Sequence, residues 1–196
     1  MSYTVVAIAA YIIGAVPFPY LIVRLLTGLD IRQMGTGNVG VMNTVRHAGL
    51  PAGLIVFVAE GLKGVSAVGI GRSVTGGDEG MLLAAFMALV GANWSVFVGF
   101  AGGRGTTVSL FMLVLISWQA FLILAALWFT LFGLRRNNFL ATRAVILAMP
   151  VVALLLKPGD WAYVACALGM SSVLLLRHRK ETDDHLIASS EQIPTT

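Results

Sequence analysis

The polar residues of this chain are gathered into short stretches between long apolar runs. Six runs stand out, at about 3–26, 50–71, 81–100, 105–133, 139–156 and 161–176. They are continuous rather than alternating, which predicts helices instead of half-buried strands. Stretches such as "YTVVAIAAYIIGAVPFPYLIVRLL" and "FLATRAVILAMPVVALLL" are long enough to cross a hydrocarbon core about 30 Å thick. The fourth run, 105–133, is too long for one crossing: at about 1.5 Å per residue it would extend roughly 43 Å. It also carries a polar break, "SWQ" at 117–119.

Charge placement decides how that run is threaded. A single crossing divides the arginines and lysines almost evenly between the two faces. A turn near Ser117 gives two short spans, about 105–116 and 118–133. It gathers Arg24, Arg32, Arg46, Arg104, Arg135, Arg136, Arg143, Arg177, Arg179 and Lys180 at one face. Arg72 and Lys157 remain opposite, beside Asp78, Glu79 and Asp160. Positive loops stay in the cytoplasm. The expectation is therefore an all-α, polytopic membrane bundle of about seven spans, with its N-terminus outside and its C-terminus cytoplasmic. Residues 1–180 form one domain, and 181–196 read as a polar, disordered tail.

Composition supports this class. Hydrophobic residues make up 58% and charged residues 11%, with a mean hydropathy of +0.88. Soluble domains carry about 25% charged residues, so a water-soluble fold is excluded. The net charge of +4 is scattered over span ends, which excludes a nucleic-acid surface. Cys166 is the only cysteine, so no internal disulfide forms. "MSYTVV" lacks a basic leader, and the first run is read as a retained span.

Candidate chemistry lies in the loops of the positive face. "DIRQMGTGNVGVMNTVRHAG", 30–49, offers glycines for an anion-binding backbone, the Thr36 hydroxyl, the amides of Asn38 and Asn43, and the forks of Arg32 and Arg46. An ordinary connector with topology-setting arginines is the competing reading. "GTGNVG" matches a dinucleotide-binding fingerprint, but that motif requires a preceding strand, and here a membrane span precedes it. The second loop, "FAGGRGTTVSLF" at 100–111, sets Gly103, Arg104 and Gly105 before a helix opened by Thr106 and Thr107, a natural anion site. Glu60 and Lys63 share a helix face inside a span, either as a structural pair or facing a polar cavity. Arg24 can snorkel, and "RHRK" at 177–180 can act as a topology anchor. His47 and His185 show no metal-site pattern. Together these residues describe a phosphate-binding cleft, open to cytoplasm and inner leaflet and walled by apolar helices. It suits a molecule with a phosphate head and a greasy tail.

The same residues resemble the bacterial acyl-phosphate:glycerol-3-phosphate acyltransferases, the PlsY family, from about Tyr11 to Lys180. "YIIGAVPFPYLIVRLLTGLDIRQMGTGNVGVMNTVRHAG" is similar to the family's first block. "EGLKG", "GANWSVFVGFAGGRGTTVSL" and "LLLRHRKE" follow in the family's order. The resemblance implies transfer of an acyl chain from acyl phosphate to the 1-hydroxyl of glycerol 3-phosphate, giving lysophosphatidic acid and phosphate. No metal or cofactor is implied. The enzyme is expected as a multi-pass monomer of the cell (inner) membrane with its site facing the cytoplasm. By motif position, Thr36, Gly37, Asn38, Asn43, Arg46, Lys63, Gly103, Arg104, Gly105, Thr106, Thr107, His178 and Arg179 would bind phosphate, with Glu60 and Asn93 in support. Lys63, Arg46 and His178 would position and stabilise charge. Where the family carries serine, threonine, histidine and asparagine, this chain has Ala15, Met42, Asn93 and Glu181. Those departures leave a second expectation, a non-catalytic or substrate-shifted paralogue that binds a phosphate-bearing lipid or a membrane partner.

Overall fold

The structure is a computed structural model that describes residues 2–190, with side chains described as far as His178. Eight α-helices account for most of it: α1 (Ser2–Ala15), α2 (Phe18–Thr27), α3 (Val41–Thr75), α4 (Asp78–Asn93), α5 (Thr106–Ile116), α6 (Trp118–Arg135), α7 (Asn138–Leu156) and α8 (Trp161–Ser190). Among the described residues, five segments are long and apolar enough to cross a membrane: Ser2–Thr27, Val41–Thr75, Asp78–Val98, Trp118–Arg135 and Asn138–Leu156.

The break read at Ser117 is present. Ser117 is extended (φ −161°, ψ 97°), ends α5 and caps α6 by accepting from the Ala120 N–H. Three boundaries differ from the hydropathy pattern. The first run is divided at Pro17, between α1 and α2. The second begins earlier, at Val41, because the polar end of the first loop is itself helical. A kink at Gly49 (φ 85°) then leads into Pro51. The third stops at Asn93, and a loop with one 3-10 turn (Val96–Val98) follows, where Gly99 and Phe100 take left-handed φ. α8 continues in helical backbone to Ser190, ten residues into the segment expected to be a disordered tail.

Helix α4 is the centre of the bundle and packs on α1, α3, α5 and α8. Small residues permit this. A side chain at Gly14 would strike the Ala88 backbone, one at Gly91 the Tyr11 carbonyl, and one at Gly71 the Gly80 carbonyl. In lipid, where helices gain nothing by hiding apolar surface from one another, such close backbone approach drives association. Large apolar side chains such as Ile8, Leu25, Val58 and Leu155 point outward instead, as a lipid-facing surface requires.

Shared lining residues give the direction of α5 and α6. Thr106 and Thr107 at the start of α5 border the same space as Trp128 late in α6 and Thr142 early in α7. At the opposite end, Ile116 and Ser117 border a void with Leu156 and Lys157. Helices α5 and α6 therefore form an antiparallel hairpin beside α7. With 11 residues, α5 rises about 17 Å, well short of a full crossing. Its start shares a cleft wall with Glu60, eleven residues past the kink of α3 at Gly49, so the second glycine loop is set back from the end of the straight part of α3.

Candidate active site

A polar cleft of about 310 Å³ opens above that recessed loop. The first loop and the head of α3 supply Thr36, Asn38, Asn43 and Arg46. The second loop and α5 supply Gly103, Arg104, Gly105, Thr106 and Thr107, and Glu60 and His178 complete the wall.

The first loop holds its shape through its own polar groups. Gly35 and Gly37 have φ of 54° and 66°. A side chain at Gly35 would also run into His47 and the Asn43 amide. The Asn43 Nδ2 donates to the carbonyls of Met34 and Asn38 (both 3.0 Å) and more weakly to Ile31 (3.3 Å). Its amide nitrogen is thus spent on tying the loop together. Its buried Oδ1, with no hydrogen-bond partner among the described residues, is the atom left for a ligand. Arg32, read as a phosphate fork, is likewise engaged elsewhere. It pairs with Asp30 at 2.6 Å, lies over the Tyr20 ring and donates to the Val98 carbonyl, joining the two glycine loops. That guanidinium holds the Asp30 carboxyl below the usual carboxylate range.

The second loop is pressed tightly against the bundle. The Gly103 N–H donates to the Ala92 carbonyl at 3.0 Å, and a side chain at Gly103 would strike the Val39 carbonyl. Gly105 has φ 71° and starts α5 without a side-chain cap. The first N–H groups of a helix lack intrahelical acceptors, and here they open onto the cleft beside the Thr106 and Thr107 hydroxyls.

Arg177, in the stretch expected to act as a topology anchor, braces this loop from α8 instead. Its Nη2 donates to the carbonyls of Gly102 (2.6 Å) and Gly103 (3.0 Å), and its Nε to Gly103 (3.2 Å). The guanidinium lies over the Trp94 ring, 5.8 Å from its centroid. Asn138, Phe139 and Thr142 of α7 also line the cleft. The one sequence signal for them is the polar "RRNN" turn on the positive face.

Three expected participants lie off the wall: Gly37, whose N–H donates to the Met34 carbonyl at 2.9 Å, and Lys63 and Asn93. Lys63 is buried beneath the cleft, where its Nζ donates to the Val16 carbonyl (3.0 Å) and to Glu60 Oε1 (2.8 Å). Of this pair, Glu60 faces the cleft. Asn93 is fully buried under the second loop, where it packs against Gly102 and Gly105 and donates to the Leu89 carbonyl. Of the departures from the family pattern, Ala15 is also buried away from the cleft, its carbonyl accepting from Ser95 Oγ. Met42 is exposed on the cleft wall. Arg179 and Glu181 have side chains outside the described residues.

A second space adjoins the cleft. It is an apolar cavity of about 470 Å³ between α5, α6 and α7, lined by residues such as Leu110, Phe121, Trp128 and Ile146. Thr106, Thr107 and Thr142 line both spaces. The polar cleft and the apolar cavity thus share one threonine-rimmed junction.

Known proteins match along nearly the whole chain. The family model for glycerol-3-phosphate acyltransferase covers residues 4–187. The glycerol-3-phosphate acyltransferase of Syntrophomonas wolfei is 32% identical over 93% of this chain and 93% of its own length. That of Desulforudis audaxviator is 37% identical over 89% and 87%. Two crystal structures of PlsY (YgiH), an integral membrane glycerol 3-phosphate acyltransferase, superpose closely at 26% identity. Its glycerol 3-phosphate form gives a TM-score of 0.84, covering 96% of this chain and 94% of that one. Its lysophosphatidic acid form gives 0.82, covering 96% and 93%. With the family's motifs set around one recessed cleft, and sequence and fold matching end to end, this chain belongs to the glycerol-3-phosphate acyltransferase family.

Proposed function

We propose that this protein transfers an acyl chain from acyl phosphate to the 1-hydroxyl of glycerol 3-phosphate, within the cleft between its two glycine loops. The observation that carries the proposal is the junction at Thr106, Thr107 and Thr142, where polar cleft meets apolar cavity. An acyl phosphate placed there has its phosphate at the start of α5 and its chain among α5, α6 and α7. The related PlsY structures, in glycerol 3-phosphate and lysophosphatidic acid forms, support the same acceptor and product.

The substrate is a mixed anhydride and arrives activated. The acceptor hydroxyl attacks the acyl carbon, the bond from that carbon to the phosphate oxygen breaks, and the hydroxyl proton leaves on the departing phosphate. The protein positions the two substrates and offsets their negative charge. Thr36, Asn38 and Arg46 hold one phosphate from the first loop. Arg104, Thr106, Thr107 and the free N–H groups of α5 hold the other. His178, at the back of the cleft, positions the reacting end. Lys63 acts indirectly: it fixes the Glu60 carboxylate against the wall. Ala15 and Asn93 lie off the wall, so the two losses remove no cleft contact, which favours the enzyme over a binding paralogue. The clustering of arginines at the cleft end supports a site facing the cytoplasm across the cell membrane.

The test uses purified protein in lipid nanodiscs with palmitoyl phosphate and labelled glycerol 3-phosphate. Labelled lysophosphatidic acid and phosphate are expected to appear in equal amounts and to vanish in Arg46→Ala. Absence of product from folded protein refutes the reading.

A further inference from the structure

We infer that Leu113, Leu124 and Met149 form a constriction that limits how deeply an acyl chain enters and thereby sets the chain-length preference of the enzyme. The inference rests on the acyl-transfer reading above.

Along its inner end the apolar cavity is closed by these three side chains, one each from α5, α6 and α7. Behind them lies a separate void of about 50 Å³, bordered by Ile116, Ala120, Ala153 and Leu156. Leu113, Leu124 and Met149 line both spaces. Leu124 and Met149 are buried, at 3% and 9% exposure. The wall therefore stands between two hollows, with space left unfilled beyond it by the small Ala120 and Ala153.

The geometry measures depth. Thr106 and Leu113 are seven residues apart on α5, and Thr142 and Met149 are seven apart on α7. Seven residues are nearly two full turns, so each threonine and its partner lie on one helix face about 10 Å apart along the axis. With carbon–carbon bonds near 1.5 Å and angles near 111°, an extended chain advances about 1.3 Å per carbon and reaches the wall after about eight carbons. A longer chain must bend within the cavity or turn out toward lipid. Met149 is the most adaptable member of the wall, being unbranched and flexible. Truncating it joins the two hollows and extends the straight path toward Leu156. Val145, one turn nearer the mouth on α7, lines the cavity in front of the wall, and enlarging it shortens the path.

The experiment measures kcat/KM for decanoyl, myristoyl, palmitoyl and stearoyl phosphates, in nanodiscs, with labelled glycerol 3-phosphate. The readout is the palmitoyl-to-decanoyl ratio within one preparation, which is insensitive to the fraction of folded enzyme. Met149→Ala is expected to raise the ratio about tenfold, the low end for pocket discrimination because the chain arrives from lipid rather than water. Val145→Leu is expected to lower it. Ala153→Phe, added to Met149→Ala, refills the void and returns the ratio toward wild type. Ratios within about twofold of wild type in both single variants overturn the constriction while leaving acyl transfer standing. If Met149→Ala does not fold, an unchanged ratio in Val145→Leu overturns it alone. A wild-type protein that uses no acyl phosphate at all overturns the parent reading as well.

Discussion

Removing the Arg177 brace tests whether the second glycine loop is held in working shape from α8. The guanidinium spans two carbonyls, Gly102 and Gly103, through three contacts of 2.6 to 3.2 Å. A hydrogen bond from a charged donor is worth about 1.5–3 kcal/mol. The group is only half buried, so water recovers part of this in its absence. We take about 2 kcal/mol for the loss of the working loop in Arg177→Ala, which is roughly thirtyfold in rate. The loop also carries Arg104 and the start of α5, so the loss is expected mainly as a raised KM for the phosphate bound there. Arg177→Lys is the discriminating variant. A lysine keeps the positive charge at the membrane face but presents a point charge instead of a planar fork. If Arg177 braces the loop, the lysine variant regains about half of the lost free energy, leaving a deficit of about fivefold. If Arg177 merely anchors topology, the lysine variant equals wild type. Steady-state kinetics in nanodiscs on all three proteins checks this. Full activity in Arg177→Lys together with a loss under about threefold in Arg177→Ala would refute the reasoning.

Lys63→Met leaves the buried Glu60 without its partner and is expected to destabilise the protein by about 3–5 kcal/mol, whereas Glu60→Gln with Lys63→Met recovers much of this; thermal unfolding in detergent compares them. Gly103→Ala drives a side chain into the Val39 carbonyl and separates the glycine loops, so acyl transfer is expected to fall at least about tenfold, read in the nanodisc assay. Ser117→Ala removes the cap at the hairpin between α5 and α6 and should cost about 1 kcal/mol of stability, with kcat/KM unchanged; an unfolding midpoint equal to wild type contradicts the capping role.

Hydropathy and local chemistry were enough to place most helices, because apolar run length, glycine and proline positions and a capping serine act within a few residues of where they occur. That is why the break at Ser117 and the glycine loops at 35–40 and 102–105 were legible, while the helical start at Val41 and the early end at Asn93 were not: both depend on neighbours. The family motifs likewise named most of the cleft wall. What they could not show is which atom each polar side chain spends on the fold. Asn43 gives its amide nitrogen to the first loop, Lys63 turns to the Val16 carbonyl at the break between α1 and α2, and Asn93 lies under the second loop. Arg177, Asn138 and Thr142 join the site only because α8 packs on α4 and α7 packs between α6 and α8, which brings both helices to the cleft.

Sequence alone determined that this chain is an apolar helical bundle whose polar residues are gathered in loops between the apolar runs, since burial in lipid and charge at span ends are properties of composition along the chain. Only the tertiary structure decided that a short α5 starts beside Glu60 of α3, and that its first threonines join a polar cleft to an apolar cavity. Helix depth and rotation are set by which side chains interlock across helices far apart in sequence, and no local pattern carries that information.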